Sequence, residues 1–409
     1  MGLTRWLLRQ AAMHPRPLVV TAVYGTRARL LTEAELARRS WVPADAPGEA
    51  NLLIVCGHAS HELDEAVRTV WSDMSGPRAR VDVPSEASPH QVTQALEHAT
   101  EQLGDAQAQW QDAAARVAAP WVPGSSDAGD QAAMHEGGHG TSDEHEHEGG
   151  GHLNQEQAGG EAEHGAHGGH GGGHHEHHMG SPGGLPMAER GPDRDGLSLD
   201  RLHVPLGPIL ADWPSGLVVE TVLQGDVIQE ATVKVMPGIG TGGSFWDEPW
   251  IMAAEGHPVS RAEAARRRAA ARLDGLGRLL AVAGWASAAG QGRSLRDRLL
   301  ADAPPAELAP PYTRFARRVR RSRTLRWMLR NVGAIGEGDA LSRLERWLAA
   351  TSAAIAALDD NTPLEEQPPS RHEPEGLLPH LLIGAELATA RLIVASLDPD
   401  LDRNQVAHV

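Results

Sequence analysis

Cysteine and lysine are nearly absent from this sequence of 409 residues. Cys56 is the single cysteine, which excludes a disulfide framework and any iron–sulfur cluster held by four cysteines of this chain. It ends an apolar run, so we interpret it as a small core residue. Lys234 is the single lysine among 37 basic residues, which is typical of a GC-rich genome. The formal net charge of −17 disfavours binding to free nucleic acid.

Long apolar runs and nucleotide-binding motifs are also missing. No stretch of about 18 apolar residues occurs, so we expect no transmembrane helix. Residues 377–397 come closest, but they include His380, Glu386 and Arg391. The first apolar run is too short for a signal peptide. The sequence has no nucleophile triad or Walker loop, and the glycines of residues 238–243 lack the strand–turn–helix context of a phosphate loop.

Residues 202–236 are the longest stretch with the pattern of a β-sheet. Residues 217–223 are apolar and β-branched, Gln224-Gly225-Asp226 can form a turn, and residues 227–235 alternate between apolar and polar. This pattern predicts a β-hairpin with one solvated face.

Residues 1–118 have the pattern of a small α/β domain. Strands are predicted at residues 18–24, 51–56 and 78–83, and helices at residues 62–74 and from Ser88-Pro89 onward. The order favours a small parallel sheet.

Residues 119–190 are predicted to be a disordered linker rich in His, Gly and Glu, because such a segment buries little apolar surface. It contains twelve of the 22 histidines. His174, His175, His177 and His178 are the candidate ligands for Zn or Ni. A solvated spacer without a metal is the alternative.

Residues 191–409 are predicted to be an α+β domain, in which the hairpin sheet packs on a mostly α-helical bundle. Helices are expected at residues 261–289, 312–332, 339–358 and 377–397. The helix expected at residues 312–332 contains a dense set of arginines, and its simplest interpretation is a solvated face with salt bridges. The alternatives for this 314–330 basic helix are docking to an acidic partner subunit or to anionic lipid headgroups.

Several segments resemble two subunits of respiratory complex I, the NADH–quinone oxidoreductase. Residues 52–57, 66–77 and 88–96 are similar to the strand, helix and last helix of its cluster-bearing subunit, the small one that holds the terminal iron–sulfur cluster. The hairpin and its Gly207-Pro208 approach resemble the hydrogenase-like subunit, which is related to hydrogenase large subunits. Further segments similar to the hydrogenase-like subunit follow in the same order, at residues 271–284, 296–298, 329–336, 378–388 and 395–398.

The sequence departs from both subunits at the positions that carry chemistry. The four cysteines of the cluster-bearing subunit are missing. The hydrogenase-like subunit has a His-Pro-x-x-His-Gly motif at its quinone site, whereas this chain has residues 209–216 there, without histidine. Asp212 and Trp213 are the candidates to line a residual cofactor pocket. A segment that the hydrogenase-like subunit has between the positions of Gly336 and Leu341 is also absent.

The resemblance therefore implies a degenerate fusion of the two subunits. We expect a non-redox or redox-degenerate peripheral subunit of a complex-I-related membrane assembly, which scaffolds the junction with proton- or cation-translocating membrane subunits. It would be cytoplasmic and peripheral on the inner face of the cell membrane, with no iron–sulfur cluster and no autonomous enzyme activity. Two alternatives are a His-rich accessory protein that binds Ni or Zn, and a quinone oxidoreductase subunit whose redox centres come from partners.

Overall fold

A computed structural model describes residues 6–118 apart from 7, 9 and 11, and residues 190–192, 198–240, 243–336, 338–365 and 374–402. The described residues up to 118 and from 190 onward group into one compact unit. The predicted linker lies outside the described residues except for Arg190, and so do all of its histidines. Within the described ranges, no helix has the length and apolarity needed to cross a bilayer.

The N-terminal part is a parallel three-stranded sheet between helices, with the strands in the order β1 (Pro17–Thr21), β2 (Leu52–Cys56) and β3 (Ala79–Val83). Side chains of β2 alternate between two cores: Leu52 and Ile54 pack with the first and third helices, and Leu53 and Val55 with the second. The α/β class predicted for this part is confirmed. Its helices are α1 Thr26–Arg38, α2 His61–Asp73, α3 Pro89–Gly104 and α4 Ala106–Ala118.

The C-terminal part begins with an antiparallel sheet whose strands lie in the order β4 (Arg190–Pro192), β5 (Ser198–Leu206), β6 (Leu217–Gln224) and β7 (Val227–Val235). The predicted hairpin is confirmed as β6 and β7, joined by Gly225 and Asp226, with Gly225 at a φ of 64°. The predicted solvated face exists on β7, but β6 is buried except at Glu220 and its last residue. On β7, Lys234 lies opposite Val218 and Glu230 lies opposite Val222, and the length of these two side chains explains why the valines are buried.

Helices form the remainder of the C-terminal part, as predicted for an α+β domain. Leu273, Leu276 and Leu280 of α6 lie in a core shared with the helices that follow. The helices are α5 Glu248–Ala254, α6 Arg261–Val282, α7 Ala286–Leu300, α8 Pro305–Arg321, α9 Arg323–Leu329, α10 Ala340–Ala356, α11 Pro374–Leu382 and α12 Leu387–Leu397.

Three predicted helix boundaries were wrong. The helix expected over residues 261–289 ends at Val282, because Gly284 takes a φ of 77° and the chain restarts as α7. The helix expected over 312–332 begins earlier and is interrupted at Ser322, whose side chain caps α9. The helix expected over 377–397 is two helices separated at Gly384, with a φ of 82°.

The β4–β7 sheet and the last two helices share a core. Leu217, Val219 and Ile228 of the hairpin pack with Leu382 and Ile393. The turn between α11 and α12 also pairs with β7, since the Ile228 N–H donates to the Ala385 carbonyl at 2.9 Å. The hairpin therefore packs on α11 and α12 around one common core.

Candidate functional site

A network of buried charged side chains joins the N-terminal and C-terminal parts. Arg29 and Glu33 lie one turn apart on α1, and they meet Asp274 of α6 and Arg296 of α7. Arg29 donates from both terminal nitrogens to both Asp274 oxygens, at 3.2 and 2.8 Å. Arg296 Nη1 donates to Glu33 Oε2 at 2.7 Å and to Asp274 Oδ1 at 2.6 Å. Together with Arg278, these residues form what we call the charge network.

Arg278 extends the charge network to the end of the last helix. Its Nη2 lies 3.2 Å from Asp274 Oδ2 and 2.6 Å from Asp398 Oδ1. Asp398 follows α12 at a φ of 49°, the left-handed conformation that ends the helix. A Cβ at residue 275 would lie 2.5 Å from Asp398 Oδ2, so any other residue there would displace this carboxylate.

The charges of the network are kept ionised by one another. Burial acts to raise the pKa of Glu33, but Arg29 and Arg296 outweigh it and lower this pKa to about 2. Burial likewise opposes ionisation of Asp274, whose pKa the surrounding arginines hold well below its usual value. The Arg296 side chain is 0% exposed and that of Asp274 is 2% exposed. Water does not solvate charges in such a site, so each ionised group depends on its ion-pair partners for stabilisation.

A second contact beside the network joins residues far apart in sequence. Asp402, after the last helix, accepts hydrogen bonds from the Tyr24 backbone N–H at 2.8 Å and from the Thr26 hydroxyl at 3.1 Å. Burial raises the pKa of Asp402 to about 6, and Asp400 adds to the rise. The loop after β1 is thus held against the end of the described chain.

The predicted pocket residues lie next to this junction. Trp213 donates from Nε1 to the Leu217 carbonyl at 2.8 Å, and its ring lines a cavity of about 20 Å³ together with Arg29 and Arg278. A cavity of this size holds about one water molecule. Asp212 forms an ion pair with Arg293, and burial raises its pKa. The two neighbours therefore face different partners, and cofactor binding by them stays a prediction.

The predicted metal ligands His174, His175, His177 and His178 lie outside the described residues, and metal binding there stays a prediction. Among the residues that are described, no three His, Cys, Asp or Glu side chains are grouped to hold a metal ion.

Cys56 is a core residue, as the sequence predicted. Its side chain is fully buried on β2, and the thiol donates to the Thr32 hydroxyl at 3.5 Å. Burial raises the pKa of this thiol to about 12. A metal-bound cysteine is a thiolate, so Cys56 in this position is unsuited to ligating a cluster.

No family model matches this chain, and no curated protein sequence matches it.

The charge network is the feature that sequence reasoning missed. Its residues lie on three helices, and Arg29 and Asp274 are 245 residues apart. A partial signal exists in α6, where Asp274 is flanked by Leu273 and Gly275 within a run of small and apolar residues. A lone carboxylate on such a face indicates a buried partner, but the pattern does not say which arginine supplies it.

Proposed function

We propose that this chain is a non-redox or redox-degenerate peripheral subunit of a complex-I-related membrane assembly. It serves as a scaffold at the junction with proton- or cation-translocating membrane subunits, on the cytoplasmic face. The shared order of the segments that resemble the cluster-bearing and hydrogenase-like subunits supports this role. The missing cysteines and histidine argue for a structural task.

The charge network is the observation that carries the proposal. A scaffold must hold its parts in one fixed geometry, and buried ion pairs act only when donors and acceptors are aligned. Arg29 and Glu33 of the α/β part reach Asp274 and Arg296 of the helical part through three hydrogen bonds between 2.7 and 3.2 Å. The two parts therefore present one rigid surface to their neighbours. Joining them in one chain also raises their effective concentration.

Purification from the source organism tests the assembly. A tagged chain extracted from membranes in mild detergent should co-purify with membrane-embedded subunits of the translocating type, identified by mass spectrometry. Purification of the chain alone from both membrane and soluble fractions would contradict the scaffold role. An iron–sulfur EPR signal from the isolated chain would contradict its non-redox character.

Binding of Ni or Zn by the histidine-rich segment is a second candidate, favoured by the twelve histidines between residues 135 and 178. Deletion of residues 134–179 separates the two functions. If the scaffold role is correct, the deletion variant still co-purifies with membrane subunits, while metal binding measured by calorimetry is lost. Loss of assembly with retained metal content would favour an accessory protein.

A further inference from the structure

Helices α8 and α9 turn an arginine-rich face to the solvent. The opposite face of α8 packs into the core through Leu308, Tyr312, Phe315 and Val319, at helical spacing. Ser322 alone separates the two helices in sequence, and its extended backbone ends α8 before α9 begins. The exposed arginines are Arg314, Arg317, Arg318, Arg320, Arg321, Arg323 and Arg330.

None of these seven arginines has a carboxylate partner among the described residues. Arg326 pairs with Glu345 at 2.8 Å, and Arg318 donates to Ser287 and Gln291 and lies over Trp285. Within the described part of the chain, no carboxylate lies within ion-pair distance of the other six exposed arginines. The sequence-based interpretation of this helix as a solvated face with salt bridges therefore explains Arg326 alone. In a chain of net charge −17 this is a concentrated positive surface.

Three of these six arginines converge on a groove between α8 and α10. Arg317, Arg320 and Arg321 line it with the side chains of Thr313 and Ser352, and its volume is about 320 Å³. Guanidinium groups bind phosphate oxygens in paired hydrogen bonds, and the Ser352 hydroxyl adds a further donor, whereas the Thr313 hydroxyl already donates to the Ala309 carbonyl at 2.8 Å. The volume is at the lower end of the range for small-molecule sites, which is suitable for a phosphate-bearing headgroup.

The floor of the groove contributes no negative charge. Tyr312 lies there, and its hydroxyl donates to the buried Leu348 carbonyl. Burial raises the pKa of Tyr312 to about 12, so the phenol stays neutral at physiological pH. An anion in the groove therefore meets cationic and neutral groups.

Trp327 indicates which source of phosphate fits. It lies on α9, and its side chain is 79% exposed, the largest exposed fraction of any large apolar residue in the described structure. Tryptophan is favoured at the membrane–water interface, where an apolar ring with a polar edge is stabilised. A small soluble phosphate compound bound in the groove would give such a ring no role.

We propose that Arg317, Arg320 and Arg321 bind the phosphate of an anionic lipid headgroup, and that Trp327 enters the headgroup layer of the same membrane. The α8–α9 surface is then a lipid-binding face of the chain itself, additional to any contact with membrane subunits. This site would give the chain its own membrane contact at the peripheral location proposed above. The biological role of lipid binding rests on that proposed location, whereas the binding itself does not.

Vesicle co-sedimentation of the purified full chain tests the site. The chain should bind phosphatidylcholine vesicles that contain phosphatidylglycerol, should not bind phosphatidylcholine alone, and should lose binding as salt is raised. The triple variant Arg317→Gln/Arg320→Gln/Arg321→Gln should bind on the order of 100-fold more weakly, at about fivefold for each arginine. Trp327→Ala should weaken binding several-fold.

A matched control removes the same charge elsewhere. Arg38, Arg68 and Arg190 are more than half exposed, and each pairs with a carboxylate. Replacing all three with Gln should leave vesicle binding within a few-fold of the wild type. Equal weakening in both triple variants would overturn the site, because net charge alone would then explain it. Circular dichroism should show that both variants are folded, as expected for exposed side chains.

Other outcomes identify other occupants and overturn the lipid proposal. Unchanged binding of the Arg317/Arg320/Arg321 variant would remove the groove from consideration. Binding of glycerol phosphate without vesicle binding would indicate a soluble phosphate ligand, and binding of polyglutamate without vesicle binding would indicate an acidic protein partner. Since these assays use the isolated chain, their failure would refute the lipid site and leave the co-purification result for the scaffold role standing.

Discussion

Replacement of Arg296 by methionine tests whether the charge network holds the two parts of the protein together. Arg296 is completely buried and donates to Glu33, Asp274 and Asp297, the last at 2.7 Å. Methionine fills most of the volume of the arginine side chain but provides no charge and no donor. The three carboxylates would keep only their remaining partners, which for Asp274 are Arg29 and Arg278.

The expected loss is about 3–5 kcal/mol of the free energy of unfolding, the usual cost of removing one partner from a buried ion pair. The matched control is Arg326→Met, which breaks an ion pair with Glu345 of similar length, 2.8 Å, between two side chains that are each 40% or more exposed. An exposed pair contributes about 0–1 kcal/mol. The two variants therefore make the same chemical change in opposite environments.

The assay is urea unfolding followed by circular dichroism, because guanidinium chloride is itself a salt that screens charges. A double-mutant cycle with Glu33→Gln, which removes the carboxylate that Arg296 contacts in the other part, should give a coupling free energy above about 1 kcal/mol. If Arg296→Met costs no more than Arg326→Met, or if the cycle gives no coupling, the network does not stabilise the junction and the main support for the scaffold proposal is lost.

Two further predictions concern other buried groups. The pKa of Asp402 is about 6 in the folded state, against 3.8 for the ordinary group. At a pH between these two values, the folded state therefore keeps a proton that the unfolded chain has released. The free energy of unfolding should therefore fall as pH rises from about 4 to about 6, by about 3 kcal/mol from this residue. Urea titrations at each pH should show that Asp402→Asn removes this component. An unchanged dependence of the free energy of unfolding on pH in the variant would contradict the prediction. The Cys56 thiol should resist iodoacetamide in the native protein and react once the chain is unfolded in urea, as measured by mass spectrometry, and rapid labelling of the native protein would show that β2 is not a closed core.

The strands and the parallel order of the N-terminal part could be predicted from local pattern. Residues 52–56 are all apolar and buried on both faces, which is the pattern of an inner parallel strand. The hairpin of β6 and β7 was also predictable, because a two-residue turn with glycine links two β-rich runs. In these elements the information that fixes the structure lies within a few neighbouring residues.

The helix breaks and the charge network depend on distant contacts. Gly384 separates α11 from α12 because its neighbours hydrogen-bond to β7, more than 150 positions earlier in the sequence, and no local pattern shows that pairing. Arg296 appeared in the sequence as one arginine among many, and only packing against α1 and α6 buries it. The sequence therefore singled out Asp212 and Trp213, which lie beside the charge network, but it did not single out the charges of the network itself.

The turn between α11 and α12 has a consequence for the outer side of β7. A strand at the margin of a sheet offers free N–H and C=O groups to any other strand, which is a common route to aggregation. Here the Gly384 N–H donates to Ile228 at 2.7 Å and the Leu387 N–H donates to Asp226 at 2.8 Å, so the chain itself occupies the first part of that margin. Further along, Glu230 and Lys234 add exposed charges. Strand addition along this side of the sheet is therefore disfavoured at the paired residues and opposed by charge beyond them.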